Sequence, residues 1–301
     1  MSKQRQPDFF IVGAPKCGTT ALNAYLRQHP QIFMPERKDI TYFGTDLQFR
    51  QPRISLEEYL ALFHLANREA RIGETSVWYL YSRKAAEEIK SFSPSAKIIV
   101  MFRNPVDMLY AQHSQFLYNC NEDITNFEAA LKAEGQRKQG VGIPWQSHFV
   151  EGLFYRETVK YSEQLERYFE VFGRNNVHVI LFDDFKRDTA KIYGETLTFL
   201  GVESSFQPKF QIINSNKQLR SKYLQQFLVT PSPLLAKFLK QITPYPLRGR
   251  LWRRIKKLNT RYIDRPMLDP ALRKRLQAEF QPEVQRLAAL LGCDLNNWSS
   301  S

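Results

Sequence analysis

A strand-like apolar run, Phe9-Phe10-Ile11-Val12, opens at Gly13 into Ala14-Pro15-Lys16-Cys17-Gly18-Thr19-Thr20 and then into the helix-compatible stretch Ala21-Leu22-Asn23-Ala24-Tyr25-Leu26. Strand, glycine-bounded turn and helix start, in that order, aim backbone N–H groups and the positive end of a helix at an anion. The chain is therefore expected to hold a nucleotide phosphate. Which chemistry follows depends on where the lysine sits. An NTPase loop reads G-x-x-x-x-G-K-[ST], with its lysine after the second glycine so that it reaches the β and γ phosphates. Gly13 and Gly18 have that spacing, but Thr19 occupies the lysine position and Lys16 lies inside the loop. A lysine there stands beside a 5′ group instead of wrapping a triphosphate.

A second cation follows another apolar run. Lys97-Ile98-Ile99-Val100-Met101-Phe102 leads into Arg103-Asn104-Pro105-Val106-Asp107, and an amphipathic pattern with Met108, Leu109 and Phe116 comes next. Proline suits a first helical turn, where its missing N–H costs nothing. Arg103 is thereby expected at the carboxyl end of a parallel strand, where open α/β sheets bind ligands, and its guanidinium fork suits a phosphate.

With these two segments in hand, Pro15-Lys16-Cys17-Gly18-Thr19-Thr20 resembles the 5′-phosphosulfate loop of sulfotransferases that use 3′-phosphoadenosine 5′-phosphosulfate (PAPS), of usual form P-K-[SC]-G-T-[ST]. The resemblance, to bacterial and heparan-type members in particular, implies that Pro15, Lys16, Cys17, Gly18, Thr19 and Thr20 contact PAPS. It also implies that Arg103 holds the 3′-phosphate together with a serine eight residues on. That serine is missing: the position is Ala111, and the nearest hydroxyl is Ser114. Ser114, Gln112 or backbone amides are left to share the load.

The family's P-x-x-K-E-x-x-[YF]-F stretch, whose glutamate takes the acceptor's proton, resembles Pro35-Glu36-Arg37-Lys38-Asp39-Ile40-Thr41-Tyr42-Phe43, with Asp39 in the glutamate's place. Aspartate is one methylene shorter, and the adjacent Lys38 favours its ionised form. Glu36 is the segment's other carboxylate, a turn-capping role is the alternative for Asp39, and His113 is a second candidate base. Glu74-Thr75-Ser76-Val77-Trp78-Tyr79-Leu80 resembles the family's G-E-x-[TS]-P-x-Y-L stretch beside the acceptor, with Val77 for proline. Tyr42, Thr75, Trp78 and Tyr79 are accordingly expected at the acceptor, core packing being the alternative for the aromatics. Asn214-Ser215-Asn216-Lys217-Gln218-Leu219-Arg220-Ser221 is similar to the family's late nucleotide-covering loop, which makes Arg220 a cofactor contact. Leu290-Leu291-Gly292-Cys293-Asp294-Leu295-Asn296-Asn297-Trp298 is similar to its closing L-G-x-D-L-x-x-W.

Strand-like runs at 8–13, 71–75, 97–102 and 177–182 alternate with helical patterns at 19–28, 55–66, 82–92, 106–118, 125–138, 155–172 and 188–200. That alternation predicts βαβ units and an α/β fold, a P-loop-like parallel β-sheet flanked by helices, with a helical C-terminal appendage that includes an amphipathic helix from Pro270 to Leu291. A chain of 301 residues can bury one large core. It is read as a single domain over 1–301, with a nucleotide-binding core at 8–202 and acceptor or cover loops and C-terminal helices at 203–301.

Cys17, Cys120 and Cys293 are scattered with no metal-ligand spacing, so no metal is expected and a reducing compartment fits. The first residues lack an apolar signal core, and no apolar run approaches the ~20 residues of a membrane helix. A cytoplasmic protein meeting a small-molecule acceptor is the expectation, with an acidic glycan as the alternative. The formal charge of +13 gathers in Arg248–Lys257 and Arg273-Lys274-Arg275, where Leu247, Leu251, Trp252 and Ile255 interleave with the cations. Peripheral membrane contact is the use this pattern favours, and no nucleic-acid partner is expected. Two readings outside sulfuryl transfer remain: a P-loop kinase, with Asp183 as its metal-binding acid, and a non-catalytic nucleotide-binding module.

Overall fold

The computed structural model describes residues 5–211, 217–221, 224–225, 254–255 and 257–300. It divides the chain into two compact units: residues 1–109, 156–213 and 270–301 form the first, and residues 110–155 and 214–269 the second.

The first unit is an α/β layer structure around a five-stranded parallel sheet of order β2-β3-β1-β4-β5, with β1 Phe9–Gly13, β2 Ile32–Phe33, β3 Arg71–Thr75, β4 Lys97–Phe102 and β5 Val177–Leu181. Every residue of β1 is buried. A parallel strand covered by helices on both faces needs that continuous apolar run, which explains why no alternation shows at residues 9–12. The middle of the sheet is sterically tight: a Cβ at Gly73 would come within 2.1 Å of Phe9 Cζ and 2.4 Å of Met34 Sδ.

Helices α1 Thr19–Leu26, α2 Leu56–Ala61 and α3 Ala85–Phe92 connect the early strands. α2 starts on a reciprocal cap, the Ser55 hydroxyl accepting from Glu58 N–H while the Glu58 carboxylate accepts from Ser55 N–H. Helix α4, Pro105–Asn119, leaves β4 and runs from the first unit into the second. Because β3 lies on one side of β1 and β4 on the other, the connection reverses at β1. That is the place where doubly wound sheets open a crevice at their carboxyl ends.

The helix expected over 155–172 is two, α6 Tyr155–Thr158 and α7 Tyr161–Phe172. The break is stabilised by Gln164, whose side-chain amide donates to the carbonyls of Glu157 at 3.1 Å and Thr158 at 3.5 Å. After β5 the chain enters α8 Phe182–Arg187 at once and then α9 Thr189–Leu200, where Asp188 caps Lys191 N–H and Gly201 closes the end in the left-handed conformation. The long C-terminal helix α10, Pro270–Leu291, appears where its pattern predicts it. It joins the first unit, with Glu283 accepting the N–H of Ser162 at 2.6 Å and Glu279 pairing with Arg156 at 2.5 Å. The short α11, Asn297–Ser300, completes that unit.

In the second unit, α5 Phe127–Lys138 is capped by Asn126, and β6 Lys217–Leu219 pairs antiparallel with β7 Thr260–Tyr262. A wholly buried Arg137 donates two hydrogen bonds to Glu122, at 2.6 and 2.7 Å, and Tyr155 donates to the same carboxylate at 2.9 Å. Burial by itself would raise the Glu122 pKa; the Arg137 contacts outweigh it and hold the carboxyl below its ordinary value. The proline-rich stretch 231–246 and all of 248–257 except Arg254, Ile255 and Lys257 lie outside the described residues, as do Asn214, Ser215 and Asn216.

Candidate active site

Three adjacent strand ends carry the residues singled out by chemistry. The loop after β1 is tied to β4 by Ala14 N–H, which donates to Met101 O at 2.8 Å. Lys16 takes a left-handed φ of 61° and Gly18 one of 96°, which turns the backbone sharply before α1 begins. Gly18 is favoured on two counts, since its left-handed φ would strain a side chain and a Cβ there would also come within 3.0 Å of the Phe182 ring. Pro15 and Cys17 are buried, and the Cys17 thiol donates to Pro15 O at 3.3 Å. Burial pushes that thiol up to about 12, so Cys17 packs the loop and is no nucleophile.

At the end of β4, Arg103 lies over the Phe182 ring, 4.8 Å from its centroid, and pairs with Asp107 at 3.8 Å. Asp107 also binds Arg273 of α10 at 2.6 Å, so one carboxylate gathers two guanidinium groups. Asn104 caps Val106 N–H and donates to Trp298 O at 2.9 Å. Trp298 in turn donates its indole N–H to Asp183 Oδ2 at 2.7 Å. The carboxylate that a kinase reading would give to a metal thus accepts from the C-terminal tryptophan.

On the other side of β1, the segment with Asp39 lies against the end of β3. Asp39 N–H donates to Thr75 O at 2.8 Å, and Val77 N–H donates to Asp39 Oδ1 at 3.3 Å. Lys38 bridges this segment to the phosphate loop: its ammonium donates to Thr20 Oγ1 at 2.8 Å and lies 3.9 Å from Asp39 Oδ2. Lys16, Thr20, Asp39, Thr75 and Arg103 are therefore brought to one edge of the sheet. Thr19 is buried at the start of α1. Thr75 is buried, its hydroxyl accepting from Asn23 at 2.9 Å.

The aromatic residues divide. Tyr79 is buried, and its hydroxyl accepts the N–H groups of Tyr42 at 3.0 Å and Phe43 at 3.3 Å. Tyr42 stacks on Tyr59 with centroids 4.2 Å apart, and Trp78 meets Tyr81 edge-on at 6.2 Å.

The remaining candidates lie in the second unit. His113 is buried, donates through Nε2 to Ile124 O at 2.9 Å, and is held below its ordinary pKa by burial. The Ser114 hydroxyl donates to Tyr110 O at 2.9 Å and accepts from Arg265 Nε at 3.2 Å. The exposed Arg220 donates its backbone N–H to Asn259 O at 2.9 Å.

Sequence reasoning did not single out the Lys38 to Thr20 contact, the Asp107 and Arg273 pair, or the Glu74 cluster described below. The one-turn spacing of Arg103 and Asp107 signals their own ion pair, whereas Arg273 lies 166 positions from Asp107 with no local signal.

The α/β sheet thus carries a glycine-bounded loop after β1, an arginine at the end of the neighbouring β4 and a carboxylate held against the end of β3, the architecture of a group transferase. Residues 6–230 match the family described as the sulfotransferase domain, and the chain belongs to that family. A crystallised sulfotransferase from Alicyclobacillus acidocaldarius is 28% identical and superposes with a TM-score of 0.73, covering 98% of this chain and 99% of that one. Among curated relatives, carbohydrate sulfotransferase 15 of Mus musculus is 31% identical over 153 residues, covering 36% of this chain and 27% of that protein. The bifunctional heparan sulfate N-deacetylase/N-sulfotransferase 4 of Mus musculus is 28% identical over 207 residues, covering 65% of this chain and 22% of its own length. The chain therefore spans only about a quarter of the length of these curated relatives. Among the described residues no helix is long and apolar enough to cross a membrane.

Proposed function

We propose that this sulfotransferase moves a sulfuryl group from PAPS to a hydroxyl or amine of a small acceptor by in-line displacement. The observation that supports the reading is the Lys38 bridge, which sets the Asp39 carboxylate beside the glycine-bounded loop that holds Lys16. The acceptor's lone pair attacks sulfur while the bond from sulfur to the bridging oxygen of the 5′-phosphosulfate breaks. The electron pair leaves with adenosine 3′,5′-bisphosphate, where Lys16 and the loop N–H groups meet the developing charge. Asp39 takes the acceptor's proton. Arg103, over Phe182 and at the amino end of α4, holds the 3′-phosphate, and Ser114 and Arg220 are the remaining candidates for nucleotide contact. His113 is the reserve base.

Thermal shift with adenosine 3′,5′-bisphosphate and with ATP, each with and without Mg²⁺, tests the nucleotide. The bisphosphate should stabilise most and gain little from Mg²⁺, and a larger shift with ATP and Mg²⁺ would return the kinase reading. Asp39→Asn tests the base, with near-normal turnover moving that role to His113. A second acceptor class, an anionic oligosaccharide, is favoured by the relatives named for carbohydrate and heparan sulfate. A PAPS-consumption screen over phenols, alcohols, amines and oligosaccharides separates the two. Turnover confined to long anionic oligosaccharides and falling steeply with salt would replace the small acceptor.

A further inference from the structure

Glu74, in β3, is wholly buried, yet its carboxylate accepts from hydroxyls: Tyr59 donates to Oε2 and Ser76 to Oε1, both at 2.6 Å, and the Tyr79 hydroxyl also lies against it. A serine hydroxyl has one proton. With that proton given to Glu74, the lone pairs of Ser76 Oγ are left to accept the N–H groups of Ile40 at 2.9 Å and Thr41 at 3.3 Å. Together with the bonds from Asp39 N–H to Thr75 O and from Val77 N–H to Asp39 Oδ1, residues 75–77 fix the backbone of residues 39–41 and the Asp39 carboxylate itself.

That segment requires holding. Asp39 and Thr41 both lie in the left-handed region, at φ of 51° and 56°. Such conformations are unfavourable for a non-glycine residue and persist where the surroundings over-determine them. An ionisable group in this position is also costly in itself: burial pushes the Glu74 carboxyl up to about 7 despite its hydrogen bonds, and the Asp39 charge adds to the rise. A carboxyl oxygen at position 74 that accepts the Ser76 proton is what leaves the Ser76 lone pairs to the loop.

We propose that Glu74 and Ser76 are positioning residues for sulfuryl transfer, Glu74 orienting the Ser76 hydroxyl and Ser76 clamping the 39–41 segment so that the Asp39 carboxylate stays beside Lys38 and the phosphate loop. The proposal rests on Asp39 being the base. Its test compares Ser76→Ala, Ser76→Thr and Asp39→Asn with the parent chain. The readouts are amide hydrogen exchange at Ile40 and Thr41, affinity for adenosine 3′,5′-bisphosphate, and its release from PAPS with water as the acceptor. Ser76→Ala should speed exchange at both amides about tenfold, as expected for loss of their acceptor. It should also lower the rate of release about tenfold while bisphosphate affinity stays within about twofold. Ser76→Thr keeps the hydroxyl and should restore both quantities. Unchanged exchange in Ser76→Ala, or failure of Ser76→Thr to rescue, overturns the proposal. If the base assignment is what fails, Asp39→Asn releases the bisphosphate at the parent rate while exchange at Ile40 and Thr41 still responds to Ser76→Ala.

Discussion

Replacing Glu74 by glutamine should remove one pH-dependent contribution to stability. The glutamate titrates at about 4.5 when exposed and at about 7 in the fold, because its charge is desolvated. Its folded value lies above its unfolded one, so between these two pH values the native state keeps a proton that the unfolded chain has released. Stability from this group is therefore intact below about pH 4.5, falls as pH rises through the window, and is fully lost above about 7. Two and a half units at about 1.4 kcal/mol each come to about 3 kcal/mol. Glutamine has nearly the same shape, keeps an acceptor for Ser76 and turns its amide toward Tyr59, whose hydroxyl can accept; it carries no charge to desolvate. Urea unfolding of both chains at about pH 4.5 and pH 8 should show the variant gaining about 3 kcal/mol relative to the parent over that interval, with matching slopes against denaturant. Titration of other carboxylates is common to both chains and cancels in the difference. A stability difference that stays constant within about 0.5 kcal/mol across the interval would refute the buried-carboxylate reasoning.

Lys16→Ala should abolish turnover of PAPS while adenosine 3′,5′-bisphosphate affinity, measured by calorimetry, changes little, because its contact forms mainly in the transition state. Arg103→Ala should instead weaken the bisphosphate by about 2 kcal/mol, the scale of a lost charge-assisted phosphate contact, and equal binding losses in the two variants would mean the roles are exchanged. Arg137→Leu should destabilise the fold by about 3–5 kcal/mol in chemical denaturation by leaving Glu122 charged and unpaired, and adding Glu122→Leu should recover most of it. Gly73→Ala should cost about 1–3 kcal/mol or more by the same measurement, since its methyl would lie 2.1 Å from Phe9 Cζ.

What the chain's own order of residues determined is whatever contiguous residues build. The strand, turn and helix start of residues 9–26 lie in one stretch, so that element could be read from its own residues, and the end of β4 at Arg103 followed from an apolar run ending at a proline-started helix. The βαβ alternation carried the fold class, since helices between strands compel a parallel sheet. Tertiary structure decided which strand ends become neighbours: β1 sits between β3 and β4, and that order together with the bonds of residues 75–77 to Asp39 brings Asp39, Lys16 and Arg103 to adjacent strand ends. It decided that Lys38 reaches Thr20, that α10 returns Arg273 to Asp107 across 166 positions, and that Tyr79 caps backbone from inside the core. It also decided the state of Glu74, because the pKa of a carboxyl depends on the water excluded around it and on the hydroxyls aimed at it. Those come from elements distant in sequence, and no local pattern encodes their distances.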